Sequence, residues 1–228
     1  MAVCKRTDSV KYSRRLRRPI RGGCCLALAG LTFNAAAQLP DASNPLDQFA
    51  ADVDSLDSRF LQETLDADGL AIEFETFTGR FRMQRPDKFH WHQDPPEEQI
   101  VVADGKLVWH YDVDLEQVTC FPLEEFAANP ALLLSGDGKL SDNYDVVELP
   151  ADNERQQIEL KPLDERNSDF VSALVQLEDG VPVQLDLLDG LQQVTRVSFT
   201  DRELNSELPA ETFRLEPTDD VHVVCDLD

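Results

Sequence analysis

The apolar positions change period along the chain, and each change marks an element. Leu46, Phe49, Ala50, Val53 and Leu56 recur at i, i+3, i+4 and i+7, the spacing of an amphipathic helix. Asn44 stands at its N-cap and Pro45 in its first turn, which suits a helix start. From Arg59 the period becomes two. Residues 60–65 read as a strand, 66–69 as a turn, and 70–85 as a long strand with Ile72, Phe74, Phe77, Phe81 and Met83 as its apolar set. The parity of that set flips near Thr76-Phe77, which predicts a bulge and a bend.

Residues 85–117 follow as a meander. They hold Arg85-Pro86, Phe89-x-Trp91, a Pro95-Pro96 turn, an apolar strand over 100–102, an Asp104-Gly105 turn, and then Trp109 and Tyr111. Asp-Gly between alternating apolar runs is a strong hairpin signal. The large aromatics sit on alternating positions and are expected to share the inward face. Residues 123–127 and 130–135 read as short helices broken at Asn129-Pro130 and ended by Gly136. Leu132-Leu133-Leu134 is apolar all round, which fits either a buried core helix or a lid pressed on a hydrophobic cavity. Strands then recur over 144–149, 156–161, 170–177, 181–188 and 194–200, with shorter ones at 213–216 and 222–225. The fold class is mainly β, with about eleven strands and three helical segments. An antiparallel meander of that width must curl or close.

The first 37 residues have a different composition. Eight Lys and Arg and one acid precede an apolar run over 24–33 and then Ala35-Ala36-Ala37. A basic n-region, a short h-region and an A-x-A site make a secretory signal peptide, with cleavage expected after Ala37. Two rival leaders fit less well. Cys24-Cys25 follow Arg-Gly-Gly, where the apolar segment of a lipobox should end. Leu16-Arg17-Arg18 is a poor continuation of a twin-arginine motif. A single domain is expected over 38–228.

Cleavage sharpens the charge. The whole chain has 21 basic and 44 acidic side chains; removing eight and one leaves 13 against 43, a net charge of −30. That argues against nucleic acid and anionic membranes as direct partners. It fits a self-repelling soluble carrier, a partner with a basic face, or a salty environment. Three of the five cysteines leave with the leader. Cys120 and Cys225 remain in an oxidising compartment, either bridged or as separate buried thiols.

The chain carries little recognisable catalytic or metal-binding chemistry. His90 and His92 share one strand face, a plausible metal pair, but Phe89 and Trp91 claim the opposite, inward face. His110 alternates against Trp109 and Tyr111 and stands about 10 Å from the pair by strand spacing. With His222, these read as surface histidines, and no metal site is expected. No phosphate loop, nucleophile elbow or zinc helix appears. Asp112, Asp114 and Glu116 lack the glycine and glutamate of a calcium loop. Arg85 is the odd residue. It ends a strand whose inward set is Phe77, Gly79, Phe81 and Met83, so the pleat turns it inward, where a guanidinium must be hydrogen-bonded. It is either an ordinary ion pair or a latch gripping carbonyls of a covering helix.

At this point a family resemblance is legible. Phe60-x-Gln62, Asp66-x-Asp68-Gly69, Gly79-x-Phe81, Arg85-Pro86-x-x-Phe89-x-Trp91, Pro95, Ile100-Val101, Asp104-Gly105, Trp109-x-Tyr111, Leu115-Glu116-Gln117 and Asn129-Pro130-x-x-Leu133 together resemble the outer-membrane lipoprotein carrier family, LolA. Order and spacing hold from about residue 46 to 225. The resemblance implies an incomplete antiparallel β-barrel covered by a helical lid, with a hydrophobic cavity between. It implies a periplasmic chaperone, acting without catalysis or cofactor. Such a chaperone takes triacylated lipoproteins from an inner-membrane ABC transporter and delivers them to an outer-membrane receptor lipoprotein. A monomer is expected. In that family the Arg of the Arg-Pro motif bonds to the lid, which falls on Arg85; the Phe of Phe-x-Trp lies at the cavity mouth, which falls on Phe89. The cavity is expected to be lined by Phe49, Val53, Phe74, Phe81, Met83, Phe89, Trp91, Trp109, Leu133 and Leu134. The chain departs from the family at Asp87, where a small or neutral residue is usual, and in its acidity. Two other readings are a related periplasmic lipid-binding or stress-sensing half-barrel and a secreted hydrolase hidden among the acids.

Overall fold

Asn44 opens the first helix in the way its side chain allows. Its Oδ1 accepts from the Leu46 and Asp47 amides at 3.0 and 2.9 Å, and α1 runs Pro45–Asp52. A computed structural model describes residues 44–66, 69–126, 130–136, 140–164, 168, 170–218, 220–225 and 227, without the side chains of Glu73, Phe74, Glu125, Phe126 and Pro130. The expected leader and the helix break at Asn129 lie outside the described residues.

The strands are β1 (Ser55–Leu65), β2 (Ala71–Gln84), β3 (Lys88–Gln93), β4 (Gln99–Asp104), β5 (Leu107–Asp112) and β6 (Gln117–Pro122). After α2 (Pro130–Ser135) come β7 (Tyr144–Asp152), β8 (Arg155–Pro162), β9 (Ser172–Glu178), β10 (Val181–Leu188), β11 (Val194–Leu204) and β12 (His222–Cys225). They form one sheet in the order β12-β6-β5-β4-β3-β2-β1-β11-β10-β9-β8-β7. Neighbours are antiparallel except β12, which runs parallel to β6. The order starts at β12 and stops at β7, so the sheet is open. One buried cluster draws Val108 from β5 and Ile158 and Leu160 from β8, strands far apart in that order. The sheet therefore curls around its core as an incomplete barrel, with α1 against β8 and β10 and α2 against β2 and β3.

Some boundaries differ from the sequence expectation. Leu56 belongs to β1 rather than to the helix, because Val53 already takes an extended backbone. Its position matches helical spacing only by coincidence with the strand pleat. The expected strand at 213–216 is not formed: Phe213 ends a 3-10 turn, Ala210–Phe213, and residues 214–216 carry no strand. The expected irregularity in β2 is present: pairing with β1 jumps from Glu63↔Thr76 to Leu65↔Ala71.

The C-terminal segment straps the convex face. The turn at Ala210–Phe213 packs on β3 and β4. Val102, whose pleat points away from the core, is fully buried there. β12 then pairs with β6, Cys120 opposite Cys225, and the two are joined by a disulfide with Cα atoms 4.5 Å apart. The bridge closes a separation of 105 residues, a long loop whose closure restricts the unfolded chain. Replacing both cysteines by serine is expected to lower unfolding free energy by about 2–4 kcal/mol, read from urea denaturation, with early loss of hydrogen-exchange protection in β12.

Candidate functional site: an apolar cavity under a clamped helix

Residues paired across neighbouring strands share a face, so the register builds the cavity wall. Phe81 pairs with Trp91 and Trp91 with Val101; Phe60 pairs with Phe199, Gln62 with Val197, and Val197 with Leu185. All stand on the concave face. Ala131 and Leu134 of α2 close the space above them. The result is a cavity of about 180 Å³, apolar but for Gln62 and Thr195. Phe60 and Trp91 stack with centroids 3.8 Å apart. Gly79 makes that stack possible: a Cβ there would strike the His92 carbonyl oxygen and the Phe60 ring.

Arg85 holds the cover. Its Nε donates to the Val53 carbonyl at 2.9 Å and its Nη2 to the Leu134 carbonyl at 2.7 Å. Its Nη1 donates to the Gly136 carbonyl. The guanidinium also lies over the Phe49 ring, 5.4 Å from the centroid, a cation–π distance. The last carbonyls of a helix lack intrahelical partners, and an arginine near helix C-termini satisfies them. Here one arginine serves the ends of both helices. The Asp87 amide adds a bond to the Ser135 carbonyl at 3.0 Å.

The expected site residues divide. Phe81, Phe89, Trp91 and Leu134 line the cavity. Phe49 and Leu133 face a second space on the other side of α2, beside Arg85. Met83 is fully buried in the core without lining the cavity, and Val53 is buried at the C-cap of α1 and offers its carbonyl to Arg85. The side chain of Phe74 lies outside the described residues. Trp109 requires correction. It pairs with Val102, and Val102 with His90, so it stands on the convex face, its Nε1 donating to Asp104 at 3.3 Å. Tyr111 goes with it, and His110, expected outside, pairs with Val101 and takes the concave side. The turn after Asp104 places Ala103 opposite Val108, which swaps parity between β4 and β5. Leu185, Leu187, Val197 and Phe199 complete the wall. Their alternation on two strands was visible, but not that β11 would sit beside β1.

α2 resolves the ambiguity of its leucines: Ala131 through Ser135 are all buried, so it is both a core helix and the cover of a cavity. Among the described residues, no cluster of His, Cys, Asp or Glu suits a metal ion.

The convex face carries the charge pairs. Arg80 binds Asp57 through two bonds at 2.7 and 2.8 Å, which raise its pKa above the usual arginine value. Arg196 binds Asp186 in the same way. Arg59 reaches Asp94 at 2.8 Å. His90 lies on this face but is half-buried; burial first, then Arg82 and His92, push its pKa down to about 4. His92 contacts Glu98 at 2.8 Å.

The comparisons with known proteins agree with the geometry. The family model described as outer membrane lipoprotein carrier protein LolA matches residues 51–216. The chain belongs to the LolA family. An outer-membrane lipoprotein carrier protein of Alkalilimnicola ehrlichii is 35% identical over 88% of this chain and 90% of that protein. One from Pseudomonas fluorescens is 37% identical over 83% and 90%, and one from Halorhodospira halophila is 38% identical over 78% and 83%. An uncharacterized conserved protein from Thermus thermophilus, solved by crystallography, superposes with a TM-score of 0.52 at 14% identity over 80% of this chain and 97% of that one, a likeness of fold alone. LolA-family membership thus rests on sequence over most of the chain.

Two outcomes follow for the two faces of the sheet. Gly79→Ala overpacks the Phe60–Trp91 stack and is expected to destabilise the fold by about 1–3 kcal/mol, measured by chemical denaturation. His90 gives a pH dependence. Its folded pKa lies below the ordinary 6.5, so protonation favours the unfolded chain. Its contribution is intact above pH 6.5 and is lost as pH falls toward 4. His90→Gln is expected to flatten the wild-type fall in stability across that window.

Proposed function

We propose that this chain carries lipoproteins across the periplasm, holding their acyl chains in the cavity beneath α2. The observation that supports this most is an apolar cavity whose cover is fastened by the hydrogen bonds of one side chain. Each methylene moved from an apolar site into water costs about 0.8 kcal/mol, so a lipoprotein with several long chains crosses water only inside a cover. A carrier must also let go. The cavity of about 180 Å³ is smaller than the roughly 300–1,000 Å³ of ordinary ligand pockets. It corresponds to the closed, empty state. An incoming chain has to lift α2 and break the bonds of Arg85, and the bonds reform when the chain leaves.

In this reading residues 1–37 are a cleaved export signal. The cargo is triacylated lipoprotein received from an inner-membrane ABC transporter and passed to an outer-membrane receptor lipoprotein. The acidic surface would meet basic faces on those partners. Native mass spectrometry of protein taken from its own periplasm is expected to show an acylated lipoprotein bound; no cargo even after crosslinking would oppose the proposal.

Arg85 supplies the sharper test. A hydrogen bond to a charged group is worth about 1.5–3 kcal/mol, and these bonds stabilise only the empty form. Arg85→Leu is expected to fold and load but to release cargo to the receptor about tenfold more slowly or worse. Release at the wild-type rate would remove the latch from the mechanism.

A further inference from the structure

We propose that a second chamber, separated from the first by α2, takes one acyl chain of the same cargo. This rests on the carrier reading and adds a place for the chain. The chamber measures about 260 Å³ and lies between α1, α2, the 3-10 turn at Leu123–Phe126 and the start of β7. Leu46, Phe49, Leu132, Leu133 and Tyr144 wall it, and each is less than a tenth exposed.

The side chains of α2 divide between the two spaces. Ala131 and Leu134 face the first cavity and Leu132 and Leu133 the second. A helix covering one cavity would need one apolar side and could keep a polar one. A helix standing as a partition between two apolar chambers needs both sides apolar, and α2 is built that way. Arg85 connects the chambers mechanically. It lines the second, and the same guanidinium holds the Leu134 and Gly136 carbonyls at the end of the partition. Releasing that grip frees the wall common to both.

Size and chemistry point to the occupant. Neither chamber alone reaches the roughly 300 Å³ lower bound of ordinary ligand pockets; joined, they pass it. The rim of the second chamber carries Asp87, Glu124 and Asn143, polar groups above an apolar wall. That gradient fits an acyl chain lying along the wall with its neutral ester end at the rim. Two carboxylates there disfavour the anionic head of a free fatty acid.

The test uses the mature protein and two synthetic lipopeptides, bearing one or three palmitoyl chains on the same labelled peptide, kept below their aggregation concentrations. Leu140→Trp fills the second chamber, since Leu140 lines it and is partly exposed. Val197→Trp fills the first. Val197→Trp is expected to weaken both lipopeptides. Leu140→Trp is expected to spare the single-chain probe and weaken the three-chain probe about tenfold, the loss of about 1.4 kcal/mol of chain burial. A photoreactive benzoylphenylalanine in place of Ala50, on the α1 wall, is expected to crosslink to an acyl chain of the three-chain probe. Equal binding of the three-chain probe by Leu140→Trp and wild type, or crosslinks to the peptide portion only, overturns the second chamber. Failure of the wild-type protein to bind either lipopeptide overturns the carrier reading itself.

Discussion

The concave face of this sheet is mostly apolar from β8 round to β4, and among the described residues no second layer of strands buries it. Something must cover that face, and a carrier requires the cover to be removable. Hydrophobic contact alone does not meet both demands. Contact area sufficient to exclude water from Phe81, Phe89 and Leu134 would hold the cover in place against any cargo of similar polarity. The structure divides the work. α2 supplies a small apolar patch, and directional bonds from Arg85 and from the Asp87 amide fasten it. Those bonds exist in one geometry only, so lifting the helix breaks them together rather than by degrees.

An arginine suits this position for physical reasons. α2 has six residues and α1 has eight, lengths at which an isolated helix is unstable in water. Each depends on tertiary contacts, and each ends in carbonyls without intrahelical partners. The planar guanidinium offers donors in several directions at once. Arg85, just past the end of β2, thereby ties both short helices to that strand, and its own amide donates to the Asp54 carbonyl at 2.8 Å. A lysine would offer its donors from one point, and could not reach the ends of α1 and α2 with the same fixed geometry.

Much of this was legible in the chain. Strand parity alone turned Arg85 inward, and the residues there offered it carbonyls. The apolar run of Leu132 to Leu134 announced a helix with no wet side. Trp109 is the exception, because strand parity does not carry across the turn before it. Between Ala103 and Val108 the hairpin exchanges odd for even positions, and nothing in the flanking residues shows that exchange. Asp104 records it only after folding, by accepting the Lys106 and Leu107 amides at 2.9 Å together with the Trp109 indole. Leu185, Val197 and Phe199 were missed for a different reason. Their strands were plain, but the pairing of β1 with β11 spans most of the chain, and a local pattern carries no information on which distant strand becomes a neighbour. The disulfide shares that limit: two cysteines permit a bridge, and only the parallel docking of β12 on β6 brings them opposite each other.

The two faces of the sheet are fastened in different ways, and the difference determines which part can move. The convex face carries the paired bonds of Arg80 with Asp57 and Arg196 with Asp186, the strap over β3 and β4, and a covalent bridge at the edge. The charge pairs and the bridge join strands to strands, and the strap packs the C-terminal segment on them. The concave side carries the clamp of Arg85, which joins helices to a strand. In the proposed cycle, the strain brought by an entering acyl chain would fall on the weaker fastening. The wall would then keep its register while the helices lift, and the cavity would regain its shape when the chain departs. A carrier built the other way, with a rigid lid on a loose sheet, would scatter the wall residues at each loading and would have to rebuild the cavity each time.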